Sequence, residues 1–277
     1  MPDASCPESG GAPLNNEQIK KTLLSLRKSE HDFTVIMSGK KSRKVHGLYK
    51  PDTREIIIHN KNFKNDNELM YTAIHEYAHH LQFTTSVTPI PVRTHTTAFW
   101  NLLHTLLFEA EEKGIYSNPF ESIEEFRTLT GQIRSRFLEG SGTLMKELGK
   151  LLVKAHELCE KHGTSYSDYL DRVLGLPRAS AGVIVKAHTL DLDPRVGFEN
   201  MRTLASITDG AARGKAQEEL RAGHSPDMVK AKYRPAALSA DPRDALQAER
   251  ERLEKSIERM KKRLKEIEKR LSELAKE

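Results

Sequence analysis

Leu69-Met70-Tyr71-Thr72-Ala73-Ile74-His75-Glu76-Tyr77-Ala78-His79-His80-Leu81 combines two patterns in one short stretch. Leu69, Met70, Ala73, Ile74, Tyr77 and Leu81 recur at helical spacing, and Asn65 or Asp66 can cap the start, so the spacing predicts an α-helix with an apolar body. On that helix His75-Glu76-Tyr77-Ala78-His79 is a His-Glu-x-x-His match. Side chains at i and i+4 lie on one face, so both imidazoles can reach a single ion. Glu76, the next residue on, is angled to sit beside an attacking water. That is the geometry a zinc hydrolase needs, and a structural histidine pair is the plainer alternative. The apolar remainder of the helix places the motif in a core and not on a surface helix.

A catalytic zinc also needs a third protein ligand and an open position. The chain has two cysteines, Cys6 near the start and Cys159 in an apolar helical pattern, so neither a disulfide framework nor a cysteine-based zinc site is available. Any metal must be held by histidine and carboxylate. A further helix is predicted from the stretch Arg93-Thr94-His95-Thr96-Thr97-Ala98-Phe99-Trp100, which makes His95 the best third ligand. A helix start can aim a side chain back across a loop, and Phe99 and Trp100 can wedge the two helices together. His80 points about 100° away from His79 on its helix, and His104 lies more than two turns beyond His95, so both read as packing or surface histidines. Glu109 and Glu111 are weaker third-ligand candidates because they lie far along the second helix.

Working toward the N-terminus, Phe33 to Met37, Lys44 to Tyr49 and Glu55 to His59 are β-prone runs, separated by Ser38-Gly39-Lys40-Lys41-Ser42 and Pro51-Asp52-Thr53-Arg54. They predict a short antiparallel sheet. Asn16 to Lys28 reads as a helix, and residues 1–14, rich in Pro, Gly and Ser, as a flexible start. The first globular unit is thus α+β and spans about residues 15–115.

The sequence of this unit resembles the SprT/Spartan-like zinc metallopeptidases and their small-gluzincin relatives. The resemblance is carried by Lys44-Val45-His46-Gly47-Leu48-Tyr49-Lys50-Pro51, which contains a Gly-x-Tyr-x-Pro strand and turn, then by the His75 to His79 motif and by His95-Thr96-Thr97-Ala98-Phe99. Many members carry Gly after the third histidine, where this chain has Thr96. The resemblance covers about the first 115 residues. It implies a bound Zn2+, His75, His79 and His95 as its ligands, and Glu76 as general base; the substrate does not carry over, and a protein or peptide is expected only because a peptidase acts on one. It also makes Glu55 to His59 a candidate upper rim for an extended substrate, against the simpler reading of a core strand, and Tyr49 a candidate oxyanion partner, against that of a core tyrosine.

Tyr116 to Gln132 reads as a connector, and residues 130–236 as all-α, with breaks at Gly175-Leu176-Pro177, Asp193-Pro194 and Gly223 to Pro226. Ser165 to Lys186 has the cadence of a helix-turn-helix and resembles the helical regions of ParB/KorB-like regulators. A recognition helix needs small, basic and hydroxylic residues at its N-terminal end. Arg178, Ser180 and Lys186 are therefore candidate DNA contacts, and a bundle that only packs on a partner is the alternative. Over residues 241–277, Leu246, Leu253, Met260, Ile267 and Leu274 recur every seven residues, with Ile257, Leu264 and Leu271 between them. This predicts a coiled coil, self-associating into a homo-oligomer or folded back on its own chain.

Composition agrees with such a layout. Of 277 residues, 37% are hydrophobic and 30% charged, which is lean for one large core and sufficient for a modest unit joined to exposed helices. The net charge of +5 permits a nucleic-acid partner without requiring one, since a balanced charged helix surface explains it equally. No stretch reaches the roughly 18 apolar residues of a membrane span, and no apolar leader is present, so a cytoplasmic protein is expected. The expected function is a zinc-dependent endopeptidase acting on DNA-associated proteins. The alternatives are a peptidase that cleaves a transcriptional repressor, and a DNA-binding regulator or scaffold with a structural or degenerate zinc site.

Overall fold

The computed structural model describes residues 14–91, 94–233 and 242–274. Residues 1–13, Cys6 among them, Arg93, the boundary at 236 and the capping Asp241 lie outside the described residues. The fold is α+β, mostly helical with one three-stranded sheet. Its strands are β1 (Thr34–Met37), β2 (Gly47–Lys50) and β3 (Glu55–Ile58), in the order β1-β3-β2. β2 and β3 pair antiparallel, with Tyr49 opposite Ile56, as a tight turn at 51–54 dictates. β1, however, runs parallel to β3, with Val35 opposite Ile56. The sheet is therefore mixed, which corrects the antiparallel expectation. The reason is burial: β3 carries three consecutive isoleucines, two of them (Ile56 and Ile58) fully buried, and so takes the centre with a neighbour on each side.

α1 (Asn16–Leu26) is held at its start by a capping box between Asn15 and Gln18, and buries Ile19, Leu23 and Leu26. α2 (Asp66–Thr85) starts at the cap Asn65, whose side chain accepts from the Glu68 N–H at 2.9 Å. It is buried on nearly every side, with Ala73, Ile74, Tyr77 and Ala78 at zero exposure, because it runs through the middle of the unit between the sheet, α1 and α3. α3 (Thr97–Glu112) is capped by Thr96 and packs Phe99, Leu103, Leu106 and Ala110 into the same core.

The stretch read as a connector is helical: α4 (Pro119–Ser122) and α5 (Glu124–Ile133) run on through a π-turn at 134–138 into α6 (Glu139–Lys161). α6 ends at His162, with Gly163 left-handed at φ +62°. After the short α7 (Tyr166–Asp168), α8 (Arg178–Thr189) lies tightly against α6, where a Cβ on Gly149 would sit 2.6 Å from the Ile184 carbonyl oxygen. α9 (Phe198–Leu204), α10 (Gly210–Arg221) and α11 (Pro226–Tyr233) share a second core built on Met201, Leu204, Ala216 and Val229. α11 also packs on α3, where His104 Nδ1 meets Ser225 Oγ at 2.7 Å. α12 (Pro242–Leu274) is one uninterrupted helix of 33 residues. Its heptad positions from Leu246 to Leu274 are all large and exposed. Among the described residues no helix is long and apolar enough to cross a membrane.

Candidate metal centre

One helical turn of α2 presents His75 and His79 on the face toward α3, and the cap that starts α3 at Thr96 presents the residue just before it, His95. The three rings converge on one point. His95 Nε2 lies 3.1 Å from His75 Nε2 and 3.1 Å from His79 Nε2. Metal–nitrogen bonds of about 2.0–2.1 Å at tetrahedral angles would hold such nitrogens about 3.3 Å apart. A set of one-proton imidazoles with all Nε2 atoms facing each other is a poor hydrogen-bond network and a good ligand set. Among the described residues this is the group of histidine, cysteine and carboxylate side chains that can hold a metal ion. His79 is buried, His75 half-buried and His95 exposed, so the centre is rooted in the core and open on one side.

Aromatic rings fix the imidazole planes. Phe99 stacks on His79 with centroids 4.2 Å apart, and Trp100 stacks on His95 at 5.5 Å. Trp100 in turn stacks on His104, whose other partner is Ser225 at the start of α11. His95 is thereby braced by a residue of the helical region. Burial, reinforced by the neighbouring rings, lowers the pKa of both His75 and His79 to about 4. These two are then neutral at pH 7 and offer lone pairs without first shedding protons. At these two nitrogens the proton is expected to compete with a metal only toward pH 4, a loss of occupancy that equilibrium dialysis would read. Loss of metal already near pH 7 through protonation of His75 or His79 would contradict their burial.

Glu76 is almost fully buried, and burial raises its carboxyl to about 7 against a hydrogen bond from the Tyr49 backbone amide. Gly47 makes room for it: a Cβ there would lie 2.8 Å from Glu76 Cγ and 2.8 Å from Thr72 Cγ2. The glycine of the Gly-x-Tyr-x-Pro stretch is thus required by close approach to the carboxylate. That requirement couples β2 to α2 across the site.

The site opens on a cleft of about 1150 Å3 whose walls are mostly apolar, including Leu48, Phe63, Tyr71, Phe83 and Tyr116. Pro119, Phe120 and Phe126 complete one wall, a contribution that a connector reading could not anticipate. The strand that borders the cleft is β2, not Glu55 to His59. β3 is paired on both sides, whereas β2 is an edge strand whose Gly47, Leu48 and Tyr49 line the cleft. The Tyr49 hydroxyl meets His80 Nδ1 at 3.1 Å inside the core, so the core reading of this tyrosine replaces the oxyanion one. His80 is fully buried, bonded also to Ser29, and His104 is held by Ser225; neither joins the cluster. Glu109 pairs with Arg27 at 2.8 Å and is likewise elsewhere.

Arg178, Ser180 and Lys186 are exposed on α8 and do not line the cleft. The Arg178 guanidinium is paired with Asp171, which balances its charge locally. Comparison of the chain with known protein families, with curated proteins and with solved structures yields no match, so the three histidines, Glu76 and the cleft around them carry the functional reading on their own geometry.

Proposed function

We propose that the protein is a zinc-dependent endopeptidase. The observation that carries this reading is the convergence of three imidazole nitrogens beside a buried carboxylate, in an apolar cleft bordered by an edge strand. Three nitrogen donors with an exposed side suit a catalytic zinc, whereas structural zinc sites are closed by four protein ligands. A bound zinc supplies a lowered water pKa and polarises the scissile carbonyl. The chain's own residues do the rest. Glu76 takes the proton of the attacking water and passes it to the departing amine. The edge of β2 offers backbone groups to an extended peptide, and the apolar walls exclude water from the bond under attack. The test is incubation of the zinc-loaded protein with an unfolded polypeptide, followed by detection of new N-termini that vanish with a chelator. No cleavage by loaded protein would overturn the reading.

The role extends to DNA-associated substrates if α8 meets the nucleic acid. Support comes from its exposed first turn and Lys186, while the pairing of Arg178 with Asp171 counts against it. Salt-sensitive DNA binding weakened by Arg178→Ala is the expected outcome. An absence of binding at low salt would leave the helical region as a packing module. Cleavage of a transcriptional repressor free of DNA, with no gain on adding DNA, would favour the repressor as substrate.

For α12 the proposed occupant is a second copy. A 33-residue helix spans about 50 Å, and its exposed seam keeps one heptad phase throughout, with Arg250 as the only charged seam residue from Leu246 to Leu274. Ending the chain at residue 241 is expected to lower the mass in solution to that of a smaller oligomer. An unchanged mass would mean that α12 packs within its own chain.

A further inference from the structure

Two buried side-chain atoms next to the centre lack a hydrogen-bond partner: His79 Nδ1 and Gln82 Oε1. Their residues are three apart on α2 and so share a face. They are also chemically complementary. With His79 Nε2 turned toward the common point of the three rings, a neutral imidazole must carry its proton on Nδ1 to leave that lone pair free, and an amide oxygen only accepts. The Gln82 side chain already lies close enough to act on the His79 ring.

The other end of the same amide is committed. Gln82 Nε2 donates to the Thr94 carbonyl at 3.0 Å and lies 3.4 Å from Thr96 Oγ1, the residues on either side of His95. A carbonyl cannot donate, so the NH2 must face Thr94 and the amide oxygen is left on the other side of the group. The final torsion of a glutamine is soft, and a small rotation about it lets Oε1 meet the Nδ1 proton.

We infer that Gln82 is the positioning residue of the metal centre, holding two ligands with one amide. Its oxygen sets the tautomer and plane of His79, and its nitrogen pins the segment that carries His95. No residue from α1, the sheet or the helical region is needed for this link between α2 and the loop before α3. The inference rests on the metal-centre reading above and adds a residue that neither the His-Glu-x-x-His pattern nor the third histidine includes.

The full-length chain loaded with Co2+ provides the test, read by chelator competition and by the visible bands of the metal. Gln82→Leu keeps the volume and removes both contacts; it is expected to bind the metal about 10–100-fold more weakly and to shift the cobalt bands. Gln82→Glu keeps an acceptor for the Nδ1 proton but no donor for the Thr94 carbonyl, so it is expected to recover only the share of the affinity that the His79 contact supplies. Gln82→Leu with wild-type affinity and bands would overturn the inference. So would Gln82→Glu weaker than wild type by about 100-fold or more, an outcome read against wild type and therefore decisive even if Gln82→Leu does not fold. A wild-type chain that binds no cobalt would remove the metal centre itself, and the inference with it, which is distinct from a centre that binds well without Gln82.

Discussion

Glu76→Gln is expected to retain its metal while peptide hydrolysis falls by about 10²–10⁴-fold, the range for loss of one positioned acid–base group. The amide has the volume of the carboxyl, so it fits the room that the absent Cβ of Gly47 leaves beside Glu76 Cγ, and its oxygen can still accept from the Tyr49 N–H. What it lacks is a basic site for the proton of water. None of the three converging nitrogens belongs to Glu76, so metal content measured on purified protein should match wild type. Equal cleavage by the variant would sink the assignment of the base. A pH arm sharpens the test. Burial holds the Glu76 carboxyl up at about 7 in the metal-free protein, and a neighbouring cation favours its charged form. Since the base works only when ionised, the acid limb of kcat/KM in the loaded protein is expected below pH 7, and it should be absent from the residual rate of Glu76→Gln.

His95→Ala is expected to weaken metal binding by on the order of a hundredfold or more, beyond the effect of losing an outer-sphere partner. His95 is the one member of the cluster that is not on α2, and it is exposed, so its removal leaves the core and the Thr96 cap of α3 in place. Two imidazoles one turn apart remain, which is too few to close a stable site. Differential scanning would show this as a metal-dependent rise of the melting temperature present in wild type and absent in the variant, since a ligand stabilises only as far as it binds the folded state. The melting temperature without metal should barely change. Undiminished occupancy would require a different third ligand, and the His75–His79 pair would then have to be completed from elsewhere.

The two predictions differ in how far the residues alone support them. His75, Glu76 and His79 sit within one turn of one helix, so their shared face follows from 3.6-residue periodicity and from the apolar pattern around them. His95 needed a further step, a second helix start expected after a loop, and the cap at Thr96 places it there. The heptad of α12 was legible for the same reason as the motif, being a short-range repeat. The direction of β1 was not, because alternation marks a run as a strand and says nothing about which strand lies beside it.

By itself, then, the sequence determined what depends on neighbours within a few positions: the motif on its helix, a cap at Asn65 or Asp66, the strand runs, and the seam of α12. Tertiary structure alone decided the rest, because each feature joins residues remote along the chain. It put Gly47 against Glu76, made β2 the edge of the cleft and β3 its interior, and brought the wall of Phe120 and Phe126 over the site. It also set the Gln82 amide between His79 and the segment that carries His95, a placement with no local signature, since a glutamine three residues after a histidine reads the same on any helix.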